Sequence, residues 1–430
     1  MTPAEAAVAA ALAGLGPGAA AGVAVSGGGD SVALLDLAAR AARSAGVDLR
    51  AVTLDHGLRP EAAREARLVA RWARAFGVAH TTLRWEERPP AGNLQAEARA
   101  ARYRLIGSWA RDGGLGAVLL AHTLDDVAET FLMRLGRRAG VEGLAAMAPD
   151  FRRDGMRWLR PLLGIERADL REHLRAVGQA WIEDPSNEDP RFGRARMRRL
   201  LPALAGAGIA AADLAEVARN LGAARAALAH HAAEAAALIV TEDRGDLILG
   251  RARYAVQPAE TRRRILTWAL RWISGVDHPA RGAEIGRLDD ALRAGRAATL
   301  GGVRLVTAGD GMARIGREPR AVAAAVSAPD RAWDGRWRLS GPPAPAGAVL
   351  RATGAAGLAL CPGWRQLGLP RASQIAAPAL WSAEGALLAA PLAGRGGPAG
   401  AEPWRISALG WGAEPVDGDW RIEARGDIPI

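Results

Sequence analysis

The sequence predicts an α/β fold: a doubly wound parallel sheet, then a helical middle domain and a small β-rich C-terminal domain. Three observations carry this expectation. Over the first two hundred residues, short apolar runs alternate with longer amphipathic ones, the pattern of a parallel sheet covered on both faces by helices. From about residue 202 the texture becomes Ala-rich and helical. After Pro319 it turns rich in Pro, Gly and Trp, with seven of the fourteen tryptophans in that last quarter. A chain of 430 residues is too long for one compact domain. The texture shifts place the boundaries at residues 1–202, 203–319 and 320–430.

Thr2, Pro3 and Glu5 mark a helix start, with a cap, a first-turn proline and a capping-box acid. This N-terminus has no basic n-region, its first arginine being Arg40, and a cytoplasmic chain is expected. Gly22–Val25 is the first strand, followed by a glycine turn and a helix from about Asp30 to Ala42. Leu49–Leu54 is the second strand, and Glu61–Phe76 a helix with Leu68, Val69 and Trp72 on one face. Val78–Leu83 is the third strand and Leu94–Ala110 the third helix. Ala117–Ala121 is the fourth strand, running into a helix through Asp125–Leu135. Ligands of such sheets bind at the carboxyl ends of the strands, where Ser26, Asp55 and His122 all fall.

Further on, Ile209–Ile239 reads as helix, Asp246–Ala252 as a short strand and Pro258–Ile273 as another helix. The run from Ala291 to Ile315 looks like a small hairpin region. Trp333, Trp337, Trp364, Trp381, Trp404, Trp411 and Trp420 are expected in the core of the last domain rather than on a base-stacking platform.

The chain has no lysine, so all 56 basic residues are arginine. That excludes a Walker A loop ending GK[ST], a Schiff-base aldolase and a ligase carrying adenylate on its own lysine. The single cysteine, Cys361, excludes intramolecular disulfides, zinc clusters and paired-cysteine sulfur transfer. A formal charge of +10 suits a polyanionic partner such as nucleic acid. GC-biased coding that replaces Lys with Arg is the bland alternative. No apolar stretch is long enough to span a bilayer, so no membrane partner is expected.

The sharpest feature is Ser26-Gly27-Gly28-Gly29-Asp30-Ser31, between a strand and a helix. Glycines let the backbone turn tightly and bring its N–H groups to a phosphate, and the following helix adds its dipole. Ser26 and Ser31 can donate hydroxyl hydrogen bonds to phosphate oxygens. Asp30 would repel a phosphate, so its natural task there is to hold Mg²⁺. An ordinary Gly-rich turn is the bland alternative. A dinucleotide-binding Rossmann domain is the nearest structural rival, with Asp55 where a ribose-binding acid would sit, but GxGxxG spacing is lacking.

SGGGDS resembles the SGGxDS loop of the PP-loop ATP pyrophosphatases. The resemblance implies an adenine nucleotide alpha hydrolase-like sheet that binds ATP, cleaves it between the α and β phosphates and adenylates a substrate oxygen. Further motifs resemble those of one branch, the tRNA(Ile)-lysidine synthases. They are Leu54-Asp55-His56-Gly57-Leu58-Arg59-Pro60 and His122-Thr123-Leu124-Asp125-Asp126-Val127-Ala128-Glu129-Thr130, the latter similar to HxxDDQxET. To these add the stretch from Leu135 to Met147, Arg160-Pro161-Leu162-Leu163, Glu183-Asp184-Pro185-Ser186-Asn187, Thr299-Leu300-Gly301-Gly302 and Arg317-Glu318. The resemblance covers most of residues 20–320. Val127 stands where glutamine is usual, Ala139 for serine, Ala146 for glycine and Ala195 for asparagine. None of these removes a charged or phosphate-facing group.

The resemblance implies a ligase that adenylates the C2 oxygen of cytidine 34 in the CAU anticodon of an isoleucine tRNA. The ε-amine of free L-lysine then displaces AMP to give lysidine. Asp126 and Glu129, three apart on a helix, share one face and could bind the lysine ammonium and take up its proton; a solvated acidic helix face is the alternative. Asp125 could serve Mg²⁺ or only cap its helix. Arg102, with Arg99 and Tyr103, matches the family's AR..RY pattern and could hold the α-phosphate or the flipped cytosine; Arg104 follows on the same helix. His56 could contact adenine or ribose, or be only a loop residue. Arg191, Arg194, Arg196, Arg198 and Arg199 form a run without an acid, suited to tRNA phosphates or to reaching ATP in the assembled site. His230 and His231 read as surface or packing residues.

Two rivals remain: a PP-loop ligase acting on a small carboxylate or amide, and an Arg-rich tRNA-binding protein with a degenerate ATP site. The sequence leaves the oligomeric state open, a homodimer included.

Overall fold

The computed structural model describes residues 1–57, 61–86, 94–183, 191, 193–275, 282–397, 404–408, 413–416 and 419–422. These fall into two units, Met1–Arg225 and Ala226–Ile430.

In the first unit the four expected runs become strands and two further strands join them in one six-stranded sheet: β1 (Ala20–Ala24), β2 (Asp48–Asp55), β3 (Ala79–Arg84), β4 (Ala117–Leu119), β5 (Asp150–Arg153) and β6 (Met156–Leu159). Their order is β3-β2-β1-β4-β6-β5. All neighbours are parallel except the β5–β6 hairpin at the edge. Val23 lies opposite Ala51 on one side and Leu119 on the other. Both central strands are buried, which is why they read as uninterrupted apolar runs. The connection order reverses between β1 and β4, so this pair forms the sheet's switch point, outside whose carboxyl ends α/β sheets bind ligands.

Helices cover both faces, as expected. They are α1 (Pro3–Ala13), α2 (Gly29–Ala45), α3 (Ala62–Ala75), α4 (Leu94–Asp112), α5 (Leu124–Leu135), α6 (Val141–Leu144), α7 (Arg167–Ala176) and α8 (Gly193–Gly206). The expected capping box starts α1: Thr2 N–H donates to Glu5 Oε2 at 2.7 Å and Glu5 N–H to Thr2 Oγ1 at 3.2 Å. Val8, Leu34, Val69 and Leu170, from α1, α2, α3 and α7, share a core with Val23 and Leu119 on one sheet face. On the other, Tyr103, Ile106 and Ala110 of α4 pack on Val52, Val118 and Trp158. Gly22 allows α4 this close approach, since a Cβ there would lie 2.9 Å from the Trp109 ring. A third cluster seats α5 (Val127, Phe131) against Leu201 and Leu204 of α8 and Leu214, Ala215 and Ala218 of α9 (Ala211–Ile239). This packing brings the basic helix α8 to the acidic helix α5.

The β5–β6 hairpin was not among the expected strands. Its turn is Asp154-Gly155, both with positive φ (52° and 74°). An Asp-Gly pair between two extended segments is the signal that marks it.

The second unit begins within α9 and continues with β7 (Val240–Asp243), β8 (Asp246–Gly250), α10 (Arg251–Ala255), α11 (Ala259–Ser274), α12 (Gly282–Arg293), β9 (Ala298–Leu300), β10 (Val303–Thr307) and β11 (Met312–Arg317). The stretch expected to be mainly helical thus also carries an antiparallel sheet, ordered β7-β8-β11-β10-β9. The strand expected over Asp246–Ala252 stops earlier, because Gly250 caps α10 and makes Arg251 and Ala252 helical. After Pro319 the chain forms short antiparallel strands, including β12 (Val326–Ser327), β13 (Trp337–Ser340), β14 (Val349–Ala352), β15 (Pro378–Trp381) and β16 (Leu387–Ala389). β12-β14-β15-β16 form one sheet. Trp333, Trp337 and Trp404 are buried in one core with Trp268, Trp272, Leu247 and Ile315, and Trp381 in a smaller cluster with Leu358 and Cys361. Trp364 is partly buried beside that cluster. The Trp411 and Trp420 side chains lie outside the described residues. Among those described, no single helix is long and apolar enough to cross a membrane.

Candidate active site

The glycine loop leaves β1 and enters α2, whose N-cap is Gly28. Gly27 has φ +93°, and Ile182 N–H donates to its carbonyl at 2.9 Å. Ser31 Oγ donates to Gly28 O at 2.8 Å and accepts from Ser26 N–H at 3.2 Å. The Ser31 hydroxyl therefore holds the loop's shape, while Ser26 is exposed at its mouth. The first N–H groups of α2 lack intrahelical partners and point out of the helix start, as an anion cradle needs.

Across the switch point, α5 starts on a second capping box. Thr123 N–H donates to Asp126 Oδ2 at 3.0 Å, and Thr123 Oγ1 accepts from Asp126 N–H at 3.4 Å. Asp126 thus spends one oxygen on the cap and turns the other, Oδ1, towards two guanidiniums, Arg194 at 3.7 Å and Arg167 at 3.8 Å. Glu129, one turn on, is fully buried. Its Oε1 accepts from Arg198 Nε at 2.8 Å and from an Arg167 terminal nitrogen at 3.3 Å. Its Oε2 is buried with no partner among the described residues. Asp125 accepts the Arg167 backbone N–H at 2.8 Å and so caps α7 rather than its own helix.

Arg167 joins the two halves of the site. Its Nε donates to Asp30 Oδ2 at 3.0 Å, while its other nitrogens face Glu129, Asp126 and Asp125. Four carboxylates thus meet three guanidiniums, those of Arg167, Arg194 and Arg198. Asp30 feels the imbalance. Burial pushes its pKa up, Arg167 pulls it down, and the nearby Asp126 and Asp125 charges push it up again, for a net rise. Burial also works against the Asp126 carboxylate, but the His122 ring, the Thr123 amide, Arg167 and Arg194 outweigh it and hold its pKa low.

The rim is made by α4 and the ends of β2 and β4. Arg102 and His56 come together, with Arg102 Nη2 3.4 Å from His56 Nε2. The His56 ring stands edge-on to Trp85, and its Nδ1 is buried without a partner among the described residues. Burial, then the Arg102 charge, push the His56 pKa down to about 4 against the pull of Asp55. His122, whose Nδ1 is likewise unpartnered, is also shifted down by burial and by Arg160. The His56 ring is therefore neutral at neutral pH and can accept as well as donate a hydrogen bond.

Residues 5–204 match the family described as a PP-loop domain. The chain is 48% identical over 398 residues to the tRNA(Ile)-lysidine synthase of Ruegeria pomeroyi, covering 93% of this chain and 91% of that protein. Against the tRNA(Ile)-lysidine synthase of Methylobacterium nodulans it is 43% identical over 321 residues, 71% of this chain and 93% of that one. The corresponding Bradyrhizobium sp. enzyme is 45% identical over 282 residues, 63% of this chain and 77% of that one. This chain belongs to the tRNA(Ile)-lysidine synthase family.

The glycine loop, Asp55-His56 and the segment from His122 to Thr130 gather at one edge of the sheet, whereas residues 299–302 and Arg317-Glu318 belong to the second unit; residues 58–60 and 184–187 lie outside the described residues. Two departures from the family pattern, Val127 and Ala195, are buried, which makes them packing changes. Arg191 is exposed just before α8, its carbonyl accepting from Arg196 at 3.1 Å. Arg194 and Arg198 instead face the carboxylates. Arg104 is exposed on α4. Arg167 was not foreseen. A signal for it exists, since it is the first residue of α7, where the helix dipole opposes a cation and a compensating acid must be near.

Two expected outcomes follow from this geometry. A Cβ at Gly27 would sit 2.6 Å from Ile182 Cδ1, and its φ disfavours any side chain. Gly27→Ala is expected to destabilise the chain by about 1–3 kcal/mol in denaturant unfolding. Adding Ile182→Ala should recover only part of this loss, because the backbone strain remains. For His56, the folded pKa of about 4 lies below the ordinary 6.5, so its contribution to stability is present above pH 6.5 and lost as pH falls towards 4. His56→Gln is expected to reduce the fall in melting temperature over that window by a few degrees relative to wild type.

Proposed function

We propose that this chain uses ATP to adenylate the C2 oxygen of cytidine 34 in the CAU anticodon of an isoleucine tRNA and joins free lysine to that carbon. One observation carries the reading: a glycine loop at a helix N-terminus and a buried glutamate with an unpartnered oxygen flank the same sheet switch point. The loop suits a leaving pyrophosphate, and the carboxylate excess suits one ammonium.

In the first step the cytidine O2 attacks the α-phosphorus, and the bond to the bridging oxygen breaks to release pyrophosphate. The amine then attacks C2, and the C2–O2 bond breaks to release AMP. Glu129 and Asp126 bind the lysine ammonium, and Glu129 Oε2 is the atom placed to take its proton. Arg102 and His56 sit where a phosphate or a base at the mouth would be held. Ser26 and the amides of Gly28, Gly29 and Asp30 face the phosphates, with Gly27 supplying the turn.

Magnesium fits one carboxylate of this site. Asp30, its side chain 23% exposed beside the phosphate loop, suits an ion that draws most of its ligands from water and phosphates. When bound, the ion neutralises charge on the departing pyrophosphate. We assign the tRNA body to Arg191 and to the residues beyond 202, in middle and C-terminal regions divided near residue 319, and place the enzyme in the cytoplasm.

The test is ATP-dependent transfer of radiolabelled lysine to a CAU-anticodon isoleucine tRNA transcript, with a methionine tRNA of the same anticodon as control. Labelling of the isoleucine tRNA alone is expected. Pyrophosphate release without labelling would move the search to another nucleophile. Binding of tRNA with neither would leave a tRNA-binding protein.

A further inference from the structure

The Arg167 side chain, 14% exposed, occupies the space between four carboxylates. Its backbone is fixed: its N–H is held by Asp125 at 2.8 Å, and it begins α7. Only the side chain is free to change partners. One end of its guanidinium already touches Asp30 of the glycine loop and another touches Glu129. Guanidinium binds phosphate oxygens through paired hydrogen bonds at least as readily as carboxylates. A polyphosphate seated on the loop beside Asp30 would therefore compete for it.

We propose that Arg167 is an internal counter-ion that holds the place of the substrate ammonium, and that nucleotide binding draws it to the loop and opens the carboxylates to lysine. The proposal rests on the reading that lysine is the nucleophile at Asp126 and Glu129, and it adds an order of binding to that reading. With Arg167 in place, four carboxylates face three guanidiniums. With it withdrawn, they face the two of Arg194 and Arg198, and a cation entering beside the unpartnered Glu129 Oε2 restores the balance. An amine admitted before ATP would meet the guanidinium instead. The chain has no lysine of its own to compete for the vacated place.

Equilibrium dialysis of the full chain with radiolabelled lysine, with and without an ATP analogue whose α–β bridge is methylene, tests this. In wild type the analogue is expected to tighten lysine binding about tenfold or more, and lysine to tighten analogue binding by the same factor. Arg167→Gln, first shown to melt cooperatively, should bind lysine without nucleotide as tightly as wild type does with it. Uncoupled binding in wild type, which needs no variant to fold, would overturn the role of Arg167 and leave the lysidine reading standing. So would an Arg167→Gln protein with unchanged coupling. Lysine binding in no state would remove both.

Discussion

Asp30→Ala is expected to lower tRNA-dependent pyrophosphate release by about 100- to 1,000-fold, the usual scale when charge stabilisation of the transition state is lost, here through loss of the carboxylate that would hold the magnesium ion. It should do so without lowering the melting temperature at neutral pH. The two halves of this expectation share one cause. Burial and the Asp125 and Asp126 charges raise the Asp30 pKa despite Arg167. An acid whose pKa is higher in the folded chain than in the unfolded one subtracts stability at every pH above its unfolded value. Its removal relieves that cost, while the first-turn dipole contribution it gives up is about 0.3–1 kcal/mol. A variant with full pyrophosphate release would remove Asp30 from the phosphate site. One that melted far below wild type would show that the carboxylate is a structural partner of Arg167.

Glu129→Gln should raise the KM for lysine about 10- to 100-fold, since a charge-assisted hydrogen bond to a buried partner contributes about 1.5–3 kcal/mol. The maximal rate of pyrophosphate release should change little. The amide oxygen of glutamine can still accept from Arg198, so the geometry of α8 on α5 has a means to persist. The lost charge nonetheless leaves Arg167 and Arg198 facing a neutral, fully buried group, and some loss of stability accompanies the change. Steady-state kinetics at saturating ATP and tRNA measures it. An unchanged KM would place the lysine amine elsewhere.

The strands and helices from Ala20 to Leu135 were legible because each buried element repeats a simple period: apolar runs for β1 and β4, i,i+3 and i,i+4 spacing for α3 and α5. β5 was not, since Asp150, Arg152 and Arg153 occupy most of an exposed edge strand that carries no apolar alternation. Only the Asp154-Gly155 turn betrays it. The five-stranded sheet of the second unit was read only as fragments, because β7 and β9 are three- or four-residue strands and their two hairpins join only where β8 pairs with the sequence-distant β11.

Within the site, the sequence exposed what local spacing controls. The glycine loop is contiguous, and Asp126 and Glu129 are brought together by one helical turn. It did not expose what only folding brings near. Arg167 lies 137 residues from Asp30 and 38 from Glu129, and nothing in its neighbourhood marks it except a cation at a helix start. The arginine run before Leu200 was visible as charge. That Arg194 and Arg198 turn inward to Asp126 and Glu129 depends on the packing of α8 against α5, a property of Leu201, Leu204 and Phe131 rather than of the arginines.

The most direct measurement follows one oxygen. A CAU-anticodon isoleucine tRNA carrying ¹⁸O at O2 of cytidine 34 is converted with ATP and lysine, and the AMP is examined by mass spectrometry. Attack of that oxygen on the α-phosphorus, with later loss of AMP from C2, should place the label in the phosphate of AMP. AMP without ¹⁸O, formed alongside lysidine, would contradict adenylation of the base and with it the role given to the glycine loop.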